Sequence, residues 1–340
     1  MTQKRSLTLI VFSVVFLLFI AGCDGGPVAS GAPTTPFLGG TQGLEIGFLE
    51  GSPPDEVTDG NSFDFQALIR IKNIGEFDLK REQVNVSMIG IVPVEFDSSI
   101  EGLRNKHPED DPSPRQRDSE GNIIEAVETF VTFPNETANG YFNFKGSLVG
   151  NTDSDFRADV CYKYGTSVVS EICVLESMID VADDAICDPS EIKSVFSSGS
   201  PIGVTSFRQS VVGKHKLQFS FDIVHSGSGN VFVWENEFPE CPKTSSGRRS
   251  KGDKINVTVK TGLDVVTTNT PPLICVGLTD KTDESLSRGS IKLVGGKRTI
   301  TCTQTLQDPR TDFKKTVNIN LTFDYLESID KKVLVKHLTD

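Results

Sequence analysis

Seven cysteines carry most of the chemistry legible in this 340-residue chain: Cys23, Cys161, Cys173, Cys187, Cys241, Cys275 and Cys302. A thiolate can attack a substrate, ligate a metal or form a disulfide. Metal ligation fits poorly. There is no CxxC, and the four histidines are scattered at His107, His215, His225 and His337. With Cys23 set aside near the N-terminus, six remain, and an even set in an exported chain reads as three disulfides. Cys161 and Cys173 flank a run that reads as a hairpin turning near Gly165 to Ser167. Folding it about Ser167 sets the two cysteines opposite each other, about 4.5 Å apart at Cα and within bonding range. Cys275 with Cys302 is the second expected pair, which leaves Cys187 with Cys241. Loops of these sizes predict roughly 3 to 4 kcal/mol of stabilisation each.

Oxygen chemistry is thinner. Asn151, Asp153 and Asp155 place donors at alternate positions, like the front half of a calcium loop. Phe156 stands where that loop needs Gly, and Tyr162 where it needs Glu, so a polar turn and no metal is expected. His107 has acids close by at Glu109 to Asp111, the one place where an enzyme site could be sought. Asp110-Asp111 and Asp183-Asp184 read as solvated loop charges. Gly227-Ser-Gly229 lacks the third glycine and helix of a dinucleotide site and reads as a turn. GxSxG, HExxH and GxxxxGK[ST] are absent, and nothing calls for a cofactor. The sequence therefore predicts a non-enzymatic protein.

The segments that position these residues begin with an export signal. Lys4 and Arg5 precede sixteen uncharged, mostly apolar residues from Leu7 to Gly22. A helix of that length spans roughly 24 Å, short of the ~30 Å hydrocarbon core. The run ends Phe19-Ile20-Ala21-Gly22-Cys23, which resembles the lipobox of prokaryotic lipoproteins, with Ile20 where Leu is more usual. That resemblance implies a signal peptide over 1–22, lipidation of Cys23 and attachment to a membrane with the body outside the cell. Cleavage would remove two cations and take the net charge from −12 to −14. So acidic a chain argues against nucleic acid and anionic headgroups as partners.

Residues 23–42 are rich in Gly, Pro, Ser and Thr and read as a flexible tether. Period-two alternation follows. Phe63, Phe65, Ala67, Ile69 and Ile71 share one face, and strands are expected over 44–49, 84–91, 129–133, 141–148, 157–164 and 168–175. The charged stretch 98–121 reads as a long exposed loop. An acidic segment at 181–191 reads as a domain boundary, with a turn or two of helix within 176–185. Alternation resumes over 202–211, 216–224, 230–234, 254–259, 290–294, 299–303, 317–325 and 332–337. Ile69-Arg-Ile-Lys-Asn-Ile-Gly75 aligns with Phe221-Asp-Ile-Val-His-Ser-Gly227, each Gly falling where a turn needs positive φ. Val84-Asn-Val86 and Ile255-Asn-Val257 follow them. A repeat of about 150 residues is a domain duplication. The expected fold is all-β: two tandem immunoglobulin-like β-sandwiches, over 43–180 and 192–340.

The strand ending Ile71-Lys-Asn-Ile-Gly75, followed by a polar turn and another strand, resembles the adhesion-type immunoglobulin-like modules of prokaryotic surface proteins. The opening Gly40-Thr-Gln-Gly-Leu-Glu-Ile-Gly-Phe-Leu49, the Pro53-Pro-Asp-Glu-Val57 turn and Cys161-Tyr-Lys-Tyr164 are similar to lipoproteins of small-genome archaea. These similarities imply a location and an architecture: a lipid-anchored surface protein whose partners are other surface proteins or glycans, with an adhesive or envelope-structural role. The alternative is a solute- or sugar-capturing lipoprotein, which a pocket shared by Trp234 and Tyr141 would favour.

Overall fold

Two very long strands organise the molecule. In the computed structural model, which describes residues 35–135, 140–263, 273–282 and 285–338, the first half carries β1 (Leu44–Phe48), β2 (Glu56–Thr58), β3 (Ala67–Asn73), β4 (Val84–Ile89), β5 (Gln116–Arg117), β6 (Ile123–Ile124), β7 (Glu128–Phe133) and β8 (Thr152–Val174). The second half carries β9 (Phe196–Ser197), β10 (Ile202–Gly213), β11 (Lys216–His225), β12 (Asn230–Val233), α1 (Ser245–Lys251), β13 (Lys254–Lys260), β14 (Ile274–Cys275), β15 (Lys281–Thr282), β16 (Leu286–Lys292), β17 (Lys297–Thr305) and β18 (Phe313–Lys336). Cys23, the signal segment and residues 23–34 of the tether lie outside the described residues.

β8 and β18 pair antiparallel without interruption, from Val174–Phe313 to Thr152–Val335. At about 3.3 Å per residue this ladder runs roughly 75 Å. Around it forms one sheet in the order β15-β16-β13-β18-β8-β4, with β2 and β12 pairing β18 and β9 pairing β8. Two smaller sheets, β1-β3-β7 and β10-β11-β17-β14, are built by the first and second halves respectively. The halves therefore correspond: β3 with β11 in the small sheets, and β4-β8 with β13-β18 in the shared one. The buried side chains form one contiguous cluster. In the first half Phe65, Phe96, Phe142 and Phe156 interlock edge to face and tilted, at centroid distances of 5.3–6.3 Å. Each such ring contributes roughly 1.5–3 kcal/mol by burial.

Several expectations change here. The boundary at 181–191 does not divide the fold, because Thr35–Asp340 is one compact unit and the halves share a sheet. Gly165 is not a hairpin turn. It pairs with Thr322 in mid-ladder, and a Cβ there would lie 2.5 Å from the Phe77 ring. The glycine makes room for an aromatic side chain. Cys161 and Cys173 thus sit twelve residues apart on one extended strand, roughly 40 Å from each other, and cannot bond. The disulfides are Cys161–Cys241, Cys173–Cys187 and Cys275–Cys302, which corrects the expected Cys161–Cys173 and Cys187–Cys241 pairs.

Residues 317–325 and 332–337 likewise merge into β18, and 141–148 is not a strand. No helix forms within 176–185. The one α-helix among the described residues is α1, whose N-cap Thr244 accepts from the Gly247 N–H. The last part of the tether is tied down: the Glu76 carboxylate accepts backbone N–H groups from Leu38, Gly39 and Gly199 at 2.7–2.8 Å. Within 98–121, Leu103 is buried in the core, and Lys106 exchanges both backbone hydrogen bonds with Val86 on β4. That stretch covers the edge of the large sheet, a common protection of an unpaired strand.

Candidate functional site

The repeated glycines and the aromatic residues of the long strands build one feature together. Tyr162 and Tyr164 on β8, with Phe323 and Tyr325 on β18, face the small sheets in ring contact with one another. The Tyr164 hydroxyl donates to Asn73 Oδ1 at 2.9 Å, and the Tyr325 hydroxyl lies 2.9 Å from His225 Nε2. A Cβ at Gly75 would overlap the Tyr164 hydroxyl, and one at Gly227 the Tyr325 hydroxyl. Neither glycine has positive φ. In both Asn73-Ile-Gly75 and His225-Ser-Gly227 the first residue meets the tyrosine hydroxyl for which the last leaves space. Burial pushes all three tyrosine pKa values up, so the phenols stay neutral hydrogen-bonding groups.

Beside this cluster a groove of about 480 Å³ runs between the edge of β1 and the turn at Ser228–Asn230, over β18 residues Leu326 to Ile329. β1 pairs only with β3 among the described residues. Leu49 N donates to Leu68 O across that pair. By the alternation of an antiparallel ladder, the N–H and C=O groups of Leu44, Ile46 and Phe48 then point away from β3, on the groove side. Glu327 stands in the groove and accepts from the Tyr162 hydroxyl at 2.9 Å, and burial raises its pKa. Arg157 also lines it. A free strand edge with charged groups of both signs beside it is suited to an extended peptide.

The opposite face of the long ladder carries a second polar feature. Lys163 and Asp324 are ladder partners with side-chain exposures of 0% and 1%, and their ion pair measures 3.1 Å. Lys163 Nζ lies 4.3 Å from the centroid of Trp234, which meets Phe77 edge to face. Glu240 N donates to the second oxygen of Asp324 at 2.8 Å. Desolvation pushes the Asp324 carboxyl up to about 6 and lowers the Lys163 ammonium. The pair has a signal in the sequence: Tyr162-Lys-Tyr164 and Phe323-Asp-Tyr325 each set one charge between two aromatics on strands apolar on both faces.

The residues singled out by sequence are dispersed. His107 Nδ1 contacts Val84 O at 2.7 Å, an anchor for its loop. Asp111 accepts from Arg81 N and from Lys80, and the backbone hydrogen bond from Arg81 is the main cause of its lowered pKa. Asp153 and Asp155 lie in β8 opposite Leu334 and Lys332, and Asn151 Oδ1 accepts from His337 N. An extended strand cannot wrap an ion, so no calcium loop forms at 151–155. Trp234 and Tyr141 do not meet: Trp234 covers Lys163, and Tyr141 lines a separate small cup. Three disulfides fit an extracytoplasmic environment. No helix among the described residues is long and apolar enough to cross a membrane.

No family model and no curated protein matches the chain. Among solved structures, it is similar to a secreted serine protease, VesC, from Vibrio cholerae at 9% identity and a TM-score of 0.17. That match covers 82% of this chain and 50% of the protease, so the chain spans half the length of that protein. It is also similar to the collagen adhesin of S. aureus at 9% identity and a TM-score of 0.12, over 91% of this chain and 96% of the adhesin. Similarities this low carry neither activity nor partner to the chain, whose all-β architecture stands on its own strands.

Proposed function

We propose that this chain is a surface lipoprotein, tethered through Cys23 outside the cell, that works by binding other surface proteins and not by turnover. Its two halves are immunoglobulin-like copies fused edge to edge. The matching Asn73-Ile-Gly75/Tyr164 and His225-Ser-Gly227/Tyr325 contacts support the duplication. The observation that carries the binding role is the free edge of β1 along the groove beside Glu327. An extended segment of a partner would add there as a strand, using main-chain hydrogen bonds for affinity and flanking side chains for register. Ile46→Pro tests this. Proline removes the outward N–H at a position that gives no hydrogen bond to β3, a substitution that edge strands tolerate. Binding of the full chain to its native membrane partners, captured by cross-linking, is expected to fall at least tenfold with little change in Tm. Retained binding in the variant would exclude this edge, and substrate turnover by the purified protein would end the non-enzymatic reading.

A further inference from the structure

The side of the large sheet turned away from the small sheets departs in charge from the rest of the chain. The protein has a net charge of −12, yet β13, β16 and the start of β18, residues 313–323, carry six cations and no acid. Alternation sends Ile255, Val257, Val259 and Ile291 into the core, which leaves Lys254, Lys260, Arg288 and Lys292 on the outer side. Lys260, Arg288 and Lys292 are exposed and Lys254 is half-buried. Among the described residues, none of the four has an ion pair or a side-chain hydrogen bond. Lys254 and Lys292 stand directly opposite each other on neighbouring strands. Leu293 N donates to Asp253 O, so the adjacent Lys254–Lys292 pair is the non-hydrogen-bonded kind, about 4.5 Å apart at Cα with side chains at their closest. Like charges so placed destabilise a sheet. Core packing does not call for them, because both side chains leave the core. Two unmatched cations held side by side in an acidic protein form an arrangement that a bound anion would offset.

We propose that this face binds an acidic polysaccharide, with its anionic groups on Lys254, Lys292, Arg288 and Lys260. Arg288 lies about 14 Å from Lys292 along β16, and Lys260, one strand over, lies about 8 Å from Arg288 at Cα. Between them the same side presents neutral donors and acceptors: Ser290 on β16, Thr258 on β13, and the exposed Asn320 and Asn318 opposite Thr258 and Lys260 on β18. Cations set several ångströms apart, with amides and hydroxyls between, match a chain whose charges are separated by sugar hydroxyls. Arg288 can also take a carboxylate or a sulfate through two parallel hydrogen bonds. Of the acids on this side, Asp324 is already held by Lys163, and Glu171 stands further along, opposite Thr316. Nucleic acid carries a denser line of charge, and its single strands take aromatic platforms for their bases. A lipid surface takes apolar side chains that can enter it. β13, β16 and β18 expose no aromatic and no large apolar side chain.

The test uses the full chain in detergent, immobilised on a sensor, with polygalacturonate and dextran sulfate as probes and neutral dextran as the blank. An acidic polymer should bind with an affinity that falls as salt is raised, and dextran should not bind. The tighter of the two acidic polymers assigns the anionic group as carboxylate or sulfate. Lys254→Gln with Lys292→Gln, and separately Lys260→Gln with Arg288→Gln, should each weaken binding by roughly fivefold, as loss of two exposed charge pairs does. Lys297→Gln, which removes a cation from β17 in another sheet, should leave binding unchanged and so separates this face from net charge. Without ligand, the Lys254→Gln/Lys292→Gln chain should melt at or above the wild-type Tm, because a repulsion has been removed. The proposal is overturned if neither acidic polymer binds, if both double variants bind as the wild type does, or if the Lys254→Gln/Lys292→Gln chain melts well below it. Tighter binding of single-stranded DNA or of phosphatidylserine vesicles than of either polymer overturns it too.

Discussion

Lys163 and Asp324 put a charge pair where solvent cannot reach it, and the energetic consequence is asymmetric. Removing one partner leaves an uncompensated buried charge, which costs about 3–5 kcal/mol; replacing both with apolar residues of similar volume is often neutral or better. Asp324→Ala should therefore lower the unfolding free energy by about 3–5 kcal/mol in urea titrations, while Lys163→Met with Asp324→Leu should stay close to wild type. A second single-residue feature governs acid stability. Asp59 accepts from Leu148 N, His337 Nδ1 and Leu338 N, tying the segment after β18 to the body. These bonds, the Leu148 N–H first, hold its carboxyl down to about 2 from 3.8. Because the folded value is depressed, the stabilisation is complete above the unfolded value and is lost as pH falls through about 2. A carboxyl-carbon NMR titration should place the Asp59 midpoint near 2, and Asp59→Asn should flatten the acid limb of the stability curve below pH 4. Neither feature carries a local motif: Lys163 and Asp324 meet only when β8 and β18 are paired, and Asp59 in the bend after β2 gathers partners from segments far away in sequence.

At the scale of elements, alternation located most strands and misread their ends. Gly165 inside Tyr164-Gly-Thr-Ser167 has the composition of a turn, yet the space it leaves is filled by Phe77, distant in sequence and absent from any local window. The merging of two expected strands into β8, and of two into β18, follows from that kind of long-range packing. The disulfides inherit the error: once the hairpin is a straight strand, Cys161 must find Cys241 and Cys173 must find Cys187. The Cys161–Cys241 bond closes the longest of the three loops, with a separation of 80 residues, and it ties the segment bearing Glu240 down beside Asp324. Cys161→Ser with Cys241→Ser should lower stability by about 4–5 kcal/mol on the loop-entropy scale. The Cys275–Cys302 loop, with a separation of 27, should lose about 1 kcal/mol less when opened in the same way. Chemical denaturation of the two double variants compares them.

For the whole molecule, the sequence repeat led to the expectation of two separate sandwiches, whereas strands of both halves join in one sheet. What could not be read along the chain is that the two halves share a sheet. The residues at their joint, Cys161 to Gly165 and Thr322 to Leu326, look like ordinary core strands until they are set opposite each other. The joint makes a thermodynamic expectation. Calorimetry of the full chain should give one cooperative transition, and residues 43–180 or 192–340 expressed alone should stay unfolded or associate through the exposed β8 or β18 edge. Two separate transitions would mean that the halves are independent after all.

The parallel contact between β2 and the end of β18, Glu56 to Thr58 beside Leu334 to Lys336, has a mechanical meaning. Once the pinned tether and β1 have yielded, tension applied between the two ends of the chain would draw these strands past each other along their length. Their hydrogen bonds would then be loaded together in shear instead of opening one at a time like a zipper. Pulling on the full chain with an optical trap, through handles at its two ends, should register that shear as a force peak before the long ladder parts. A Val57→Pro substitution, which removes one N–H from the contact, should lower it. On the N-terminal side the pinned tether and β1 take the load before β2 does, so this latch is what holds once they have yielded.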